Sequence, residues 1–274
     1  MRPHQWLKNA FVFAGLVFSG SWGDAVLVLN VLIVFAAFCC FSSAVYIAND
    51  WRDLQADAEH PVKRRRPLAS GQVGRGSAAV LVVLLVALGV WLAWGNRVLL
   101  ILLGLYALQN LAYSWRLKQV PVVDVSIIAS GFMLRLLAGT LAVAIEPSRW
   151  LLLTGIFVAL FLGFSKRKAE SFHEASSQRA VMAHYPAALL DTFMAVTMTA
   201  TITTYSLFAT SPEAIIEHGE RLLYTVPMVI FALLRYTYQV HQGLGEDVSR
   251  DLLRDPWILG AGVVWALVFL GPLW

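Results

Sequence analysis

Long apolar stretches separated by short polar segments run along the whole chain. A helix needs about 17 to 25 mostly apolar residues to cross a lipid bilayer. The alternation of apolar and polar residues that is typical of strands is absent. The pattern therefore predicts an all-α, polytopic membrane protein with nine transmembrane helices, at 7–20, 25–47, 77–95, 98–114, 121–144, 149–165, 187–209, 222–240 and 256–273.

The composition supports a membrane protein. Of the 274 residues, 58% are hydrophobic and only 14% are charged, whereas about a quarter of the residues in a soluble domain are charged. No long polar segment divides the apolar stretches, so the sequence predicts a single integral membrane domain over 1–274. The first span is short, and it would have to begin near Gln5 or tilt very little to cross the bilayer.

The positive charges indicate the orientation of the chain. Of the 21 Lys and Arg residues, sixteen fall on one set of connecting segments, three on the other set, and two within spans. Because Lys and Arg concentrate in cytoplasmic loops, the N-terminus is expected inside and the C-terminus outside, in the inner (cytoplasmic) membrane. The basic composition therefore reflects topology and anionic ligands, and it gives no reason to expect a nucleic-acid partner.

The second span ends in an acidic motif that consists of Asn49, Asp50, Asp53 and Asp57. On one continuous helix the three carboxylates would share a face. They would repel one another without a cation, and ligands that are all oxygen favour Mg²⁺. The alternative is a solvated helix end, but the helix dipole disfavours acids at a C-terminus. The motif therefore predicts a metal-binding catalytic site on the cytoplasmic side.

A basic run, Lys63–Arg66, follows the acids within a few residues and lies between Pro61 and Pro67. Such a run can simply determine topology. It can also neutralise a metal-bound diphosphate, because Arg and Lys clamps stabilise the negative charge that develops when a phosphate group leaves. The two prolines favour a loop that could fold over a ligand.

The acidic motif and the nine predicted spans resemble the UbiA superfamily of intramembrane prenyltransferases, and the finer resemblance is to its decaprenyl-phosphate phosphoribosyltransferase branch. The segments that carry this finer resemblance are Arg2-Pro3-x-Gln5-Trp6-x-Lys8-Asn9, Asp57-x-Glu59-His60-Pro61-x-Lys63-Arg64-x-Arg66-Pro67, Tyr113-Ser114 with Leu117-Lys118, Leu134-Arg135 with Gly139, Lys166-Arg167-x-x-Glu170, and Arg235-Tyr236.

The resemblance implies a UbiA-like helical bundle and a Mg²⁺-dependent glycosyltransferase. The implied enzyme transfers the 5-phosphoribosyl group of 5-phosphoribosyl diphosphate to a polyprenyl (decaprenyl) phosphate and releases pyrophosphate, in the synthesis of lipid-linked sugar precursors of the cell wall. It implies Asp50, Asp53 and Asp57 as catalytic and metal-binding residues, and a homo-oligomer is possible. The implied substrate-binding residues are Lys8, Asn49, Lys63, Arg64, Arg66, Tyr113, Lys118, Arg135, Lys166, Arg167 and Glu170.

The second Asp-rich motif of the superfamily is missing. After the sixth predicted span the chain has three cations, Lys166–Lys168, followed by Glu170 and Glu174, whose spacing could replace two aspartates. A surface ion pair between Lys166 and Glu170 is the simpler alternative. Two other functions stay open: a prenyltransferase with an isoprenyl diphosphate donor and an aromatic acceptor, and a membrane transporter with a polar site at the midplane.

Two arginines lie within predicted spans. Arg135 is about halfway along the fifth span, and Arg235 is in the eighth. A charge in lipid is costly, so Arg135 is expected to face the interior of the bundle. Arg235 lies closer to a span end, and it could instead extend to the membrane surface.

Overall fold

The computed structural model describes residues 3–59, 63–172, 180–245 and 248–271. All regular elements in these ranges are helical. The α-helices are α1 (Ala14–Phe18), α2 (Ala25–Arg52), α3 (Leu54–Glu59), α4 (Arg75–Leu92), α5 (Arg97–Trp115), α6 (Val123–Leu141), α7 (Arg149–Ser171), α8 (Ala187–Ala209), α9 (Pro212–His218), α10 (Val226–His241), α11 (Val248–Arg254) and α12 (Pro256–Leu270). Short 3₁₀ helices include Pro3–Phe13, Lys63–Arg65, Leu117–Gln119, Ala180–His184 and Glu220–Thr225.

Six of these helices are long and apolar enough to cross a membrane, namely α2 and α4 to α8. The protein is therefore an integral membrane protein, but the prediction of nine spans is not confirmed within the described residues. The first predicted span is a 3₁₀ helix, Pro3–Phe13, which continues into the five-residue α1. The last two predicted spans, α10 and α12, contain 16 and 15 residues, fewer than the roughly 20 that a membrane crossing needs.

The chain divides into two compact units. Unit 1 contains Met1–Leu16, Ser21–Ser114 and Leu134–Ile145, and unit 2 contains Val17–Gly20, Trp115–Met133 and Glu146–Trp274. The single membrane domain over 1–274 stays a prediction.

Unit 1 is built around α2. Asp24 begins this helix, because its side chain accepts hydrogen bonds from the backbone N–H groups of Val26 and Leu27. The buried side of α2 packs against α4 and the N-terminal 3₁₀ helix, and the core includes Val31, Val34, Phe38, Leu103 and Tyr106. Burial of this apolar core holds the end of α2, with its acidic motif, in a fixed place.

Unit 2 is built on α7 and α8, which pack against each other along their lengths. One core cluster includes Phe161, Phe164, Leu190, Met194 and Tyr236. A second cluster, near the C-terminal end of α8, includes Tyr205, Phe208, Leu222 and Phe269. The two clusters fix both ends of α8, and the first of them also surrounds the basic end of α7.

The N-terminal segment lies against α6 with backbone contact. A Cβ atom on Gly139 would collide with the Val12 carbonyl oxygen, and a Cβ atom on Gly15 would collide with Thr140 Cγ2. Only glycine allows two backbones to approach this closely. The N-terminal segment, which carries Lys8, therefore has its position fixed by glycines.

Replacing Gly139 by Ala is expected to destabilise the protein by about 1–3 kcal/mol, because the added methyl group would overpack a rigid backbone contact. The measurement is thermal unfolding of the purified protein in detergent. Gly104→Ala is the matched control, since Gly104 also lies within a transmembrane helix but a Cβ atom added there would meet nothing within 4 Å. Equal unfolding temperatures for the two variants would contradict the close contact.

Candidate active site

The acidic motif spans a break in the helix. α2 ends at Arg52, and Asp53 leaves the helical conformation with φ −89° and ψ 14°. Asp57 belongs to the next helix, α3, and its N–H donates to the Asp53 carbonyl oxygen at 2.8 Å. The expectation of three carboxylates on one continuous helix face is therefore wrong at Asp53, since the helix that carries Asp50 ends just before it.

Asp50 and Asp57 converge on a single cation. Arg66 Nη1 donates to Asp50 Oδ1 at 3.1 Å and to Asp57 Oδ2 at 2.5 Å. The Asp57 side chain is only 5% exposed, and that of Asp50 is 15% exposed. Arg66 follows the 3₁₀ turn Lys63–Arg65, so the chain just after this turn lies against both acids. The sequence predicted Asp50, Asp57 and Arg66 as site residues, and the structure brings all three together.

Two converging carboxylates fit a divalent cation, although the structure gathers fewer acids than the sequence suggested. In the described part of the chain, no three His, Cys, Asp or Glu side chains lie close enough together to hold a metal ion. One oxygen of Asp50 and one of Asp57 nevertheless bind the same nitrogen, Arg66 Nη1. The two carboxylates together therefore stabilise a positive charge at this position. Carboxylate oxygen is the ligand that Mg²⁺ prefers, and Mg²⁺ commonly needs only one or two carboxylates because it keeps waters and binds phosphate.

Asn49 connects the end of α2 to the end of α5. Ser114 Oγ donates to Asn49 Oδ1 at 2.7 Å, and Ser114 is buried. This bond fixes the orientation of the Asn49 amide next to Asp50. Tyr113 precedes Ser114 and is half-buried. Sequence reasoning included Tyr113 and Asn49 among the site residues and omitted Ser114, although the Tyr-Ser pair was part of the motif.

Three further residues of unit 1 that were predicted to bind substrate lie near its surface. Lys63 and Lys8 are half-buried, and Arg64 is exposed. Lys63 and Arg64 belong to the 3₁₀ turn that leads into Arg66. Of the cations in this segment, Arg66 is the one whose contact with the carboxylates is described above. His60, Pro61 and Arg2, which the sequence motifs also include, lie outside the described residues.

Arg135 lies inside unit 1, as its position halfway along a span predicted, and it is 5% exposed. Its Nε donates to Asn9 Oδ1 at 2.7 Å, and its Nη2 donates to the Tyr106 hydroxyl at 3.0 Å. Its guanidinium carbon lies 4.7 Å from the centre of the Tyr106 ring. Asn9 in turn donates to Cys39 and Ser42. The guanidinium is therefore satisfied in a low-dielectric interior by polar groups and an aromatic face.

In unit 2, Arg167 is the centre of a buried ion network. Arg167 Nε donates to Asp124 Oδ2 at 2.7 Å, and its Nη1 donates to Glu170 Oε2 at 2.6 Å. The side chains of Arg167 and Asp124 are 1% and 0% exposed. Glu170, for which a surface pair with Lys166 was the simpler alternative, forms an ion pair with the buried Arg167. Glu174 lies outside the described residues.

Tyr185 joins this network, and Lys168, next to Arg167 in sequence, forms an ion pair with Asp191. Tyr185 donates its hydroxyl hydrogen to Asp124 Oδ1 at 2.7 Å. Lys168, also buried, pairs with Asp191 at 2.7 Å, and His241 Nε2 lies 3.1 Å from the same carboxylate. Sequence reasoning missed Tyr185 and His241. Asp124 and Asp191 lie at the ends of predicted spans. Such a position predicts that an acid has a cationic partner, but it does not identify the partner.

The turn before α6 is strained. Val122 has φ +67°, a left-handed conformation that costs a β-branched residue about 1–3 kcal/mol. The Val122 N–H donates to the Tyr185 hydroxyl oxygen at 2.6 Å. Lys118, a predicted phosphate contact, is half-buried in the 3₁₀ turn Leu117–Gln119 that leads to Val122.

Arg235 is held by Asp255. Arg235 Nη2 lies 2.8 Å from Asp255 Oδ2, and Gln239 Nε2 donates to the same oxygen at 2.6 Å. Asp255 Oδ1 accepts from the N–H groups of Trp257 and Ile258 and so begins α12. The hydrogen bond from Arg235 is the main cause that lowers the pKa of Asp255 below its usual value. Arg235 is therefore fixed by an ion pair within unit 2.

Comparison with known proteins assigns a family to the chain. The family model described as "UbiA prenyltransferase family" matches residues 9–252. The decaprenyl-phosphate phosphoribosyltransferase of Corynebacterium glutamicum is 35% identical over 97% of this chain and 82% of that protein. The protein of the same name from Mycolicibacterium smegmatis is 33% identical over 93% of this chain and 85% of that protein.

A solved structure supports the fold. The structure of a UbiA homolog from Archaeoglobus fulgidus, bound to GPP and Mg²⁺, has a TM-score of 0.72 and covers 98% of this chain and 95% of that one. At 18% identity this likeness shows the fold alone. The all-α, UbiA-like fold predicted from the sequence is confirmed.

Proposed function

The chain belongs to the UbiA prenyltransferase family, and we propose that it transfers the 5-phosphoribosyl group of 5-phosphoribosyl diphosphate to a polyprenyl phosphate and releases pyrophosphate. The observation that carries the proposal is the similarity to decaprenyl-phosphate phosphoribosyltransferases over nearly the whole length of both proteins. The enzyme is thus a pentosyltransferase of the membrane.

The chemistry of the transfer suits the residues of unit 1. A phosphate oxygen of the lipid forms the new bond to the anomeric carbon while the bond from that carbon to pyrophosphate breaks. The attacking phosphate is already an anion, so no general base has to remove a proton. The charge that must be neutralised is on the leaving pyrophosphate, and we assign this role to the cations Lys63, Arg64 and Arg66.

Asp50 and Asp57 are the residues that we assign to Mg²⁺, with Asp53 as a further candidate and Asn49 in support. Bound Mg²⁺ would supply Lewis-acid stabilisation of the leaving oxygens. In this proposal Arg66, which binds both carboxylates, also contacts a phosphate of the donor. Ser114 holds Asn49, so the ends of α2 and α5 keep a fixed relation at the site.

A donor that carries a second phosphate needs further cations, and we assign Lys118 and Lys166 to that phosphate. A phosphoribosyl donor has a 5-phosphate as well as a diphosphate, whereas an isoprenyl diphosphate has none beyond its diphosphate. Glu170 would accept hydrogen bonds from the ribose hydroxyls of the donor, because a carboxylate repels a phosphate, and Arg167 holds Glu170 by an ion pair. By the distribution of Lys and Arg along the sequence, we place the active site on the cytoplasmic face, with the N-terminus inside and the C-terminus outside.

Arg66→Gln is expected to lower kcat/KM about a hundredfold, because it removes the cation that Asp50 and Asp57 share and one stabilising contact of the leaving group. Arg65→Gln is the matched control. Arg65 is adjacent in sequence and exposed, and its loss is expected to change kcat/KM less than about threefold. The measurement is the initial rate of transfer by each purified variant. Equal losses would mean that the loop acts only through its net charge.

The test of the function is a comparison of donors. Purified wild-type protein is incubated with Mg²⁺ and either labelled 5-phosphoribosyl diphosphate and polyprenyl phosphate, or labelled isoprenyl diphosphate and an aromatic acid. The proposal predicts labelled lipid from the first pair alone. Prenylated aromatic product from the second pair, without lipid-linked phosphoribose from the first, would overturn it. The absence of both products would favour a transport or carrier function.

A further inference from the structure

The Tyr185 hydroxyl joins two parts of unit 2 that are far apart in sequence. Its oxygen accepts a hydrogen bond from the Val122 N–H at 2.6 Å, and its hydrogen is donated to Asp124 Oδ1 at 2.7 Å. Tyr185 is 4% exposed. Burial, and then the bond to Asp124, raise the pKa of Tyr185 to about 12. The hydroxyl therefore stays protonated and keeps its donor role at neutral pH.

The first contact holds a strained turn. Val122 is one of two residues other than glycine with positive φ in the described ranges, and such conformations persist only where the surroundings fix them. The 3₁₀ turn Leu117–Gln119, which carries Lys118, precedes Val122 by a few residues. The Tyr185 hydroxyl is thus a tether on the segment that presents Lys118.

The second contact reaches the basic end of α7. Asp124 binds Tyr185 with Oδ1 and Arg167 with Oδ2, and Arg167 binds Glu170. Each of these bonds is 2.6–2.7 Å long. Because Asp124 and Arg167 are almost completely buried, the chain of bonds has little freedom to rearrange.

We propose that Tyr185 is a positioning residue that holds Lys118 and Glu170 in one fixed arrangement, through Val122 on one side and through Asp124 and Arg167 on the other. Tyr185 itself does not touch the substrate. This inference rests on the proposed function, because it assigns Lys118 and Glu170 to the phosphoribosyl donor. A fixed spacing of cation and carboxylate allows both to meet the donor without a further cost in conformational entropy.

The kinetic test is Tyr185→Phe in the full-length protein, which removes the hydroxyl and keeps the ring. The KM for 5-phosphoribosyl diphosphate is expected to rise about tenfold, while the KM for polyprenyl phosphate stays the same. Tyr205→Phe is the matched control. Tyr205 is equally buried in unit 2, and its hydroxyl also has two partners, Thr225 and Trp265. A loss of stability alone would lower the amount of active enzyme in both variants and would leave both KM values unchanged.

A second measurement does not depend on catalysis. Trypsin can cleave after Arg116 and Lys118, and loosening of this turn in Tyr185→Phe is expected to speed that cleavage about tenfold relative to wild type and Tyr205→Phe. Unchanged cleavage together with an unchanged donor KM would overturn the positioning role. Faster cleavage in a protein that does not use 5-phosphoribosyl diphosphate would keep the tether and refute the proposed function instead.

Adding Val122→Gly to Tyr185→Phe separates the two arms of the tether. Glycine adopts positive φ without strain, so the turn can keep its conformation without the hydrogen bond to the Tyr185 hydroxyl. The donor KM is therefore expected to return to within about threefold of wild type. A donor KM that stays tenfold high would show that the hydroxyl does not act through Val122, and would overturn that arm of the proposal.

Discussion

Asp50→Asn is expected to lower the rate of phosphoribosyl transfer about a thousandfold while the protein folds and inserts into the membrane normally. Asp50 accepts from Arg66 at the point where Asp57 also converges. The substitution keeps the size of the side chain and removes its charge. A large effect is expected because the neutral side chain attracts a divalent cation less strongly and no longer forms the ion pair that aligns Arg66.

The control for Asp50→Asn is Glu59→Gln. Glu59 is an acid in the same segment, at the end of α3, and it is exposed. Its neutralisation is expected to change the rate less than about threefold. The measurement is the initial rate at saturating Mg²⁺, with membrane insertion checked by yield and by elution as a single species in detergent. Activity retained in Asp50→Asn would show that the acidic motif has been misassigned.

Asp124→Ala is expected to destabilise the protein by about 3–5 kcal/mol, because it removes one partner of a buried ion pair and leaves Arg167 with less compensation. Arg167 is 1% exposed and cannot reach water without opening the core of unit 2. The substitution also removes the acceptor of the Tyr185 hydroxyl. Thermal unfolding in detergent measures the effect.

The double variant Asp124→Leu/Arg167→Met is the informative control. Replacing a whole buried pair with apolar residues of similar size is often close to neutral, so the double variant is expected to regain most of the lost stability. It is not expected to regain activity, because Glu170 loses its partner Arg167 and the Tyr185 hydroxyl loses its acceptor Asp124. A stable and fully active double variant would show that the ion pair has no role in the site.

Hydropathy predicted most of the helices, but it did not predict where α2 ends or that the first predicted span is a 3₁₀ helix. The predicted span 25–47 is α2, but α2 continues to Arg52, since a helix can outlast its apolar stretch where polar residues are satisfied at the membrane surface. The first predicted span became a 3₁₀ helix. Apolar content cannot distinguish the two helix types, because an apolar sequence can be buried in either of them.

The site residues were predictable by type, and their pairings were not. An arginine halfway along a span must avoid lipid, and Arg135 is indeed buried. The bond from Arg66 to Asp50 crosses 16 residues and a loop, and the bond from Arg167 to Asp124 crosses 43. Local periodicity carries no information on such contacts. Tyr185 was not predicted, because a single tyrosine between two helices belongs to no motif and no periodic pattern in the sequence.

The most direct test of the proposed reaction is the release of pyrophosphate from 5-phosphoribosyl diphosphate by the purified wild-type protein with Mg²⁺. We expect that release requires polyprenyl phosphate and matches, one for one, the lipid-linked phosphoribose formed. Release that does not require the lipid phosphate, or none from this donor while an isoprenyl diphosphate is consumed with an aromatic acceptor, would contradict the proposed reaction.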